Sequence, residues 1–116
     1  MDFLIRKPRF PAIVDTGVEL LGVRSWTECQ TRFSNFTSSD TDAKPVIDAS
    51  AEGFAFHPDM AVISPLALKK RWSKSEIIAL YNDRKNSNAP RYEPASLSNR
   101  TLARVVADVV ELLNER

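Results

Sequence analysis

We predict an α+β fold, a single domain over residues 1–116 in which a small, mainly antiparallel sheet is covered by three to four helices. The 116 residues are 43% apolar and 27% charged, which suits one modest hydrophobic core. Short apolar runs separated by turn signals precede residue 64 and predict strands. Beyond it, apolar positions recur every three or four residues, which is typical of helices packed against a sheet.

The amino-terminal part of the chain predicts an extended arm followed by a hairpin. Pro8 and Pro11 stand among basic residues and favour an exposed, extended conformation. The apolar runs 12–14 and 18–23 flank Asp-Thr-Gly, a turn signal. Residues 25–36 begin like a capping box and have helical spacing, but their threonines and aromatics also suit a strand, so both alternatives stay open.

The middle of the chain predicts a loop and then consecutive strands. Residues 35–45 are polar, short-chained and closed by a proline, as surface loops are. Residues 45–66 contain apolar runs with turn signals at 51–53 and 57–59, where a proline presets φ. We therefore expect the sheet to be built largely from this segment.

Three helices are predicted in the second half of the chain. Ser64-Pro65 is a favourable helix start and predicts a short helix to about residue 72. Ser73 and Glu76 form a second capping box, and that helix should end near Asn86. The last helix should open at residue 96 or 98 and pack its Leu and Val face on the sheet.

The charge is segregated along the chain. The whole sequence has a net charge of only +1, yet residues 66–104 hold nine basic and three acidic side chains. Such a segment can be the footprint of a phosphate-binding surface. On a helical wheel, however, the bases after Ser73 lie beside the apolar face, where long side chains pack their stems and keep their heads in water. We interpret this helix as structural.

The last helix has its charges in the order that opposes the helix dipole, with arginines first and acids last. One interpretation is an ordinary pair between Arg104 and Asp108, four residues apart, and we favour it. The alternative is an anion-binding or partner-binding site at the start of the helix. Its candidate residues are Ser96, Ser98, Arg100 and Arg104.

The sequence points to no catalytic residues, metal site or cofactor. His57 is the only histidine, and Asp59 nearby does not make a catalytic set without a nucleophile. Cys29 is the only cysteine, which excludes an intramolecular disulfide and a thiolate-rich zinc site. The known phosphate-binding, dinucleotide-binding and hydrolase motifs are absent. We expect a protein that is not an enzyme.

The function predicted from these observations is a small non-catalytic interaction or regulatory module that acts through a protein partner or by self-association into a homo-oligomer. Its candidate interface residues are Trp72, Lys69, Lys70 and Arg71. The alternative is a nucleic-acid-binding protein that uses residues 66–104. No apolar stretch is long enough to cross a membrane, so we expect a soluble, cytoplasmic protein without a membrane partner.

Overall fold

One mixed sheet organises the chain. The computed structural model describes residues 2–17, 19–33, 42–58, 60–67, 69–85, 88–93 and 100–114. The strands are β1 (Asp2–Phe3), β2 (Ala12–Asp15), β3 (Leu20–Val23), β4 (Lys44–Ile47), β5 (Gly53–His57) and β6 (Val62–Ser64). They lie in the order β1-β6-β5-β4-β2-β3. The α+β prediction is confirmed, but the sheet is larger than the small one predicted, and it is mixed because β1 runs parallel to β6.

Three helices cover the sheet within the described ranges: α1 (Trp26–Phe33), α2 (Lys74–Arg84) and α3 (Leu102–Asn114). On one face, α3 packs across β2 and β3 with α2 beside it. On the opposite face lies α1. The predicted packing of the last helix on the sheet is confirmed, and so are the predicted hairpin, now β2–β3, and the helical alternative for residues 26–33.

The sheet separates two apolar clusters. The first contains Ile13 and Ile47 from the sheet, together with Ile77 and Tyr81 from α2 and the valines of α3. The second lies on the α1 face, where the rings of Phe33 and Phe56 stack with their centres 4.0 Å apart. The strands alternate their side chains between these two clusters, as a sheet covered on both faces requires.

The strongest sequence signal for a helix start is confirmed in detail. The backbone N–H of Glu76 donates to the hydroxyl of Ser73 at 3.2 Å, and the N–H of Ser73 donates to the Glu76 carboxylate at 2.9 Å. This reciprocal pair satisfies two N–H groups that a helix start leaves free. It fixes the beginning of α2 directly after Ser73.

The short helix predicted for residues 64–72 is wrong. Ser64 ends β6, and the described residues after it form an extended connection instead. The N–H of Gly53 donates to the carbonyl of Lys70 at 2.8 Å, and the N–H of Trp72 donates to the carbonyl of Ala51 at 2.9 Å. Backbone pairing with the turn before β5 therefore replaces the hydrogen bonds that a helix would have made.

The last helix begins later than predicted. Thr101 caps α3, since its hydroxyl accepts the N–H of Arg104 at 3.1 Å. Ser96 and Ser98, the predicted starting points, lie outside the described residues. Arg100 therefore precedes the helix, while Arg104 stands in its first turn.

Candidate functional site

A pocket of about 350 Å³ lies over β4 and β5, the two central strands of the sheet, and we call it the central-strand pocket. Its walls come from β4, β5 and the connection between β6 and α2. Most of them are apolar, and the polar side chains among them are His57 and Lys69. The lining residues are Ala43, Pro45, Phe54, Ala55, His57, Leu66, Ala67, Lys69 and Trp72.

The sequence creates this pocket by placing small residues on one face of β4, β5 and β6. Pro45 pairs with Ala55, and Ala55 pairs with Ser64, so these three share a face. Paired residues on adjacent strands project to the same side of a sheet. On this face α2 and α3 cover the side of the sheet formed by β2 and β3, while the connection passes over β5. The short side chains leave the space between that connection and the sheet unfilled.

Gly53 brings the connection close to the sheet. A Cβ atom at this position would lie 1.8 Å from the carbonyl oxygen of Lys69, a distance that no side chain tolerates. The nearby backbone bonds between Gly53 and Lys70 and between Trp72 and Ala51 then hold the connection in place. The pocket wall is thus fixed by main-chain contacts on both sides of Arg71.

Trp72, Lys69 and Glu76 form the wall nearest to α2. The Nζ of Lys69 lies 5.0 Å from the centre of the Trp72 ring and 2.5 Å from Oε2 of Glu76. The pKa of Glu76 falls to about 2, first because Lys69 donates a hydrogen bond to its carboxylate and then because Ser73 does. Glu76, which completes the capping box of α2, therefore also anchors Lys69 at the pocket.

The predicted interface residues divide between two neighbouring places. Trp72 and Lys69 line the pocket, whereas Lys70 and Arg71 are exposed beside the turn between β4 and β5. Sequence reasoning proposed these four because they are adjacent in the chain. Sequence reasoning missed Ala55 and Pro45, because their place in the pocket depends on strand register. It also assigned His57 to a turn, whereas His57 is the last residue of β5.

The β4–β5 turn is organised by the buried carboxylate of Asp48. Its Oδ1 accepts the N–H groups of Ser50 and Glu52 at 2.9 and 3.0 Å, and its Oδ2 accepts the N–H of Arg9 at 3.1 Å. Ala49 returns a bond to the carbonyl of Arg9. The amino-terminal segment is thereby held against a turn that also pairs with the connection.

A second hollow, of about 360 Å³, contains part of the predicted anion site. It is lined by Arg91, Tyr92, Glu93, Arg100, Asp108, Glu111 and Leu112. Arg100 and Arg104 each reach Asp108 at 3.1 Å, and the hydroxyl of Tyr92 donates to the same carboxylate at 2.6 Å. The favoured interpretation, a pair between Arg104 and Asp108, is what the structure contains. Ser96 and Ser98 fall outside the described residues.

Other charges of the basic segment are paired as well. Lys69 bonds to Glu76, Arg84 to Asp15 at 2.7 Å, and Arg91 to Glu93 at 2.8 Å. Together with Arg100 and Arg104, at least five of the nine bases in residues 66–104 have a carboxylate partner within the described part of the chain. Much of the charge that is segregated in the sequence is compensated in space.

Comparisons of this chain with known proteins find no relative. No family model, no curated protein and no solved structure matches the chain. Among the residues that the structure describes, no helix is long and apolar enough to cross a membrane. The same residues contain no group of three or more His, Cys, Asp or Glu side chains arranged to hold a metal ion.

Proposed function

We propose that this protein is a non-catalytic interaction module that binds a protein partner by taking an apolar side chain of the partner into the central-strand pocket. The observation that carries the proposal is the lining of that pocket, because seven of its nine described lining residues are apolar. Leu66 at its edge is 65% exposed. An exposed apolar surface beside an apolar hollow is typical of binding sites.

The pocket has the size and the rigidity that such binding needs. A volume of about 350 Å³ is at the lower end for ligand sites and suits a large side chain. Burying a side chain of the size of leucine contributes about 1.5 to 3 kcal/mol. The main-chain bonds of Gly53 and Trp72 hold the walls before binding, which reduces the ordering cost that a partner must overcome.

Nucleic-acid binding by the basic segment has weaker support. Affinity for nucleic acid comes chiefly from basic side chains that neutralise phosphates, and at least five of the nine in residues 66–104 already have carboxylate partners among the described residues. Leu66, which is exposed beside the pocket, has no role in phosphate contacts. A protein partner uses both the pocket and its apolar edge.

Two pocket variants test the proposal, with a selected peptide as the probe. Peptides are first selected for binding to the parent protein from a displayed random library. Ala55→Leu should fill the pocket and weaken their binding by about tenfold or more. Leu66→Ser should weaken it without disturbing the fold, because this side chain is exposed. Ala79→Leu is the matched control, since Ala79 is exposed on α2 and lines no part of the pocket.

The outcomes separate the alternatives. Loss of binding in both pocket variants, with the control unchanged, supports the proposal. Binding that survives both variants contradicts it. A dimer that forms in the parent and is lost in Leu66→Ser would identify a second copy of the chain as the protein partner, and sizing at increasing concentration measures this.

A further inference from the structure

We infer that the partner segment bound at the central-strand pocket is acidic, with its carboxylates facing Arg9, Lys70 and Arg71. We call these three residues the basic cluster. The inference rests on the proposed function and adds the chemistry of the partner. It comes from residues that are some 60 positions apart in the sequence and meet at one turn.

The β4–β5 turn gathers the basic cluster. Arg9 is bound to the turn through its own N–H and carbonyl, at 3.1 Å to Asp48 and 2.9 Å from Ala49. Arg71 approaches the other end of the turn, where it pairs with Glu52 in an isolated antiparallel bridge. Lys70 accepts the N–H of Gly53 through its carbonyl at 2.8 Å.

The three side chains have no carboxylate partner among the described residues. All three are exposed. Two acids belong to the turn, and each is already engaged: Glu52 pairs with Arg6, and the carboxylate of Asp48 is buried and accepts backbone N–H groups. With Arg6 and these two acids included, the turn keeps a net charge of +2.

The basic cluster directly adjoins the pocket. Lys70 and Arg71 are the two residues between Lys69 and Trp72, and both of those line the pocket wall. An extended segment that inserts an apolar side chain there can pass its flanking residues beside Lys70 and Arg71. Carboxylates on that segment would meet bases that are otherwise uncompensated, which gives the complementarity that steers and orients binding.

The same geometry favours an acidic peptide over a nucleic acid. Single-stranded nucleic acids gain affinity by stacking bases on aromatic rings. The ring of Trp72, which directly follows Arg71, is only partly exposed, and the Nζ of Lys69 lies 5.0 Å from its centre. Glu76 in turn holds that ammonium group at 2.5 Å. A ring occupied in this way is a poor stacking surface.

The displayed random-peptide library tests the inference when it is selected separately on three proteins. The parent should enrich peptides with a large apolar residue flanked by Asp or Glu. The double variant Lys70→Glu with Arg71→Glu should keep the apolar preference and lose the acidic one, and acidic peptides selected on the parent should bind it about tenfold more weakly. Lys85→Glu, a charge reversal at the end of α2 that does not line the pocket, should behave as the parent does.

Failure of the inference and failure of the proposed function give different results. Apolar peptides without acidic flanks, whose binding is lost in Ala55→Leu, would overturn the acidic partner and leave the interaction module standing. Peptides that bind Ala55→Leu and Leu66→Ser as tightly as the parent would overturn both. A single-stranded oligonucleotide that binds more tightly than the selected peptides, with an affinity that Ala55→Leu does not change, would overturn the inference in favour of a nucleic-acid partner.

Discussion

Gly53 and the carbonyl of Lys69 approach each other so closely that a Cβ atom on Gly53 would lie 1.8 Å from that oxygen. Only glycine lets the connection between β6 and α2 cross the start of β5 at this distance. The contact places Lys69 and Trp72 at the pocket and the bases between them at the β4–β5 turn. One residue without a side chain thus positions both parts of the proposed binding surface.

Gly53→Ala should therefore be strongly destabilising. The added methyl group must displace backbone, and overpacking of this kind costs about 1 to 3 kcal/mol or more. Chemical denaturation measures the loss. Gly17→Ala is the control: Gly17 has φ of +89° but no atom within 4 Å of its Cβ position, so it should cost only the conformational penalty of about 1 to 2 kcal/mol. A Gly53→Ala protein as stable as the parent would contradict the described path of the connection.

Ser73→Ala should lower the free energy of unfolding by about 0.5 to 2 kcal/mol, because the cap of α2 is lost. The acid titration of Glu76 gives a second readout. Its folded-state pKa of about 2 is below its ordinary value of 4.5, so its stabilising contribution is complete above pH 4.5 and disappears as the pH falls toward 2. The difference in stability between the parent and Glu76→Gln should shrink over this range; a constant difference would show that the carboxylate is not held by Lys69 and Ser73.

Changing Arg100 and Arg104 together to Gln should reduce stability by about 1 kcal/mol. The sequence alone suggests unchanged or slightly higher stability, because both charges oppose the helix dipole. In the structure both arginines share the carboxylate of Asp108, whose side chain is only 23% exposed, so their removal leaves it with Tyr92. Arg91→Gln is the control, since its pair with Glu93 is exposed on both sides and should contribute almost nothing. A double variant as stable as the parent would contradict this prediction and would show that the unfavourable interaction of both charges with the helix dipole offsets their pairing with Asp108.

Alkaline pH should destabilise the fold through Cys29 and Tyr92. Burial raises the pKa of the Cys29 thiol from 9.0 to about 12, and burial followed by the hydrogen bond to Asp108 raises the pKa of Tyr92 from 10.0 to about 12. Each group is neutral when protonated, and the unfolded chain loses these protons first. Stability should therefore fall as the pH rises from 9 toward 12.

The variants Cys29→Ala and Tyr92→Phe provide the check on this pH dependence. Each should lose less stability than the parent over the alkaline range, whatever its stability at neutral pH. The parent's unfolding free energy and those of both variants are measured by denaturation across the same pH series. Equal slopes in all three proteins would contradict the assignment.

Local signals in the sequence were sufficient where the chain's own neighbours determine the structure. The capping box at Ser73, the β2–β3 hairpin and the apolar face of α3 all depend on residues a few positions apart. The same kind of signal failed at Ser64 and Pro65. There the backbone pairs with residues 51–53, and these tertiary hydrogen bonds outweigh a favourable helix start.

The candidate site could be predicted only in part for the same reason. Trp72 and its basic neighbours could be named as candidate interface residues because they stand together in the sequence. The sheet side of the pocket, in contrast, depends on which residues of β4 and β5 face the same side. A register that differs by one residue would move Ala55 to the opposite face. The approach of Arg9 to the β4–β5 turn could not be predicted from the sequence either, since it depends on a hydrogen bond to the buried carboxylate of Asp48.

The most direct measurement of the central claim is a map of amide chemical shifts in the ¹⁵N-labelled protein during titration with a peptide selected on the parent. We predict that the largest shifts fall on Ala55, His57, Leu66 and Trp72 and that the same titration of Ala55→Leu shows none of them. Further shifts at Lys70 and Arg71 are expected when the peptide is acidic. Shifts centred on the Asp108 hollow or on the β1 edge, with Ala55 and Trp72 unmoved, would contradict binding at the central-strand pocket.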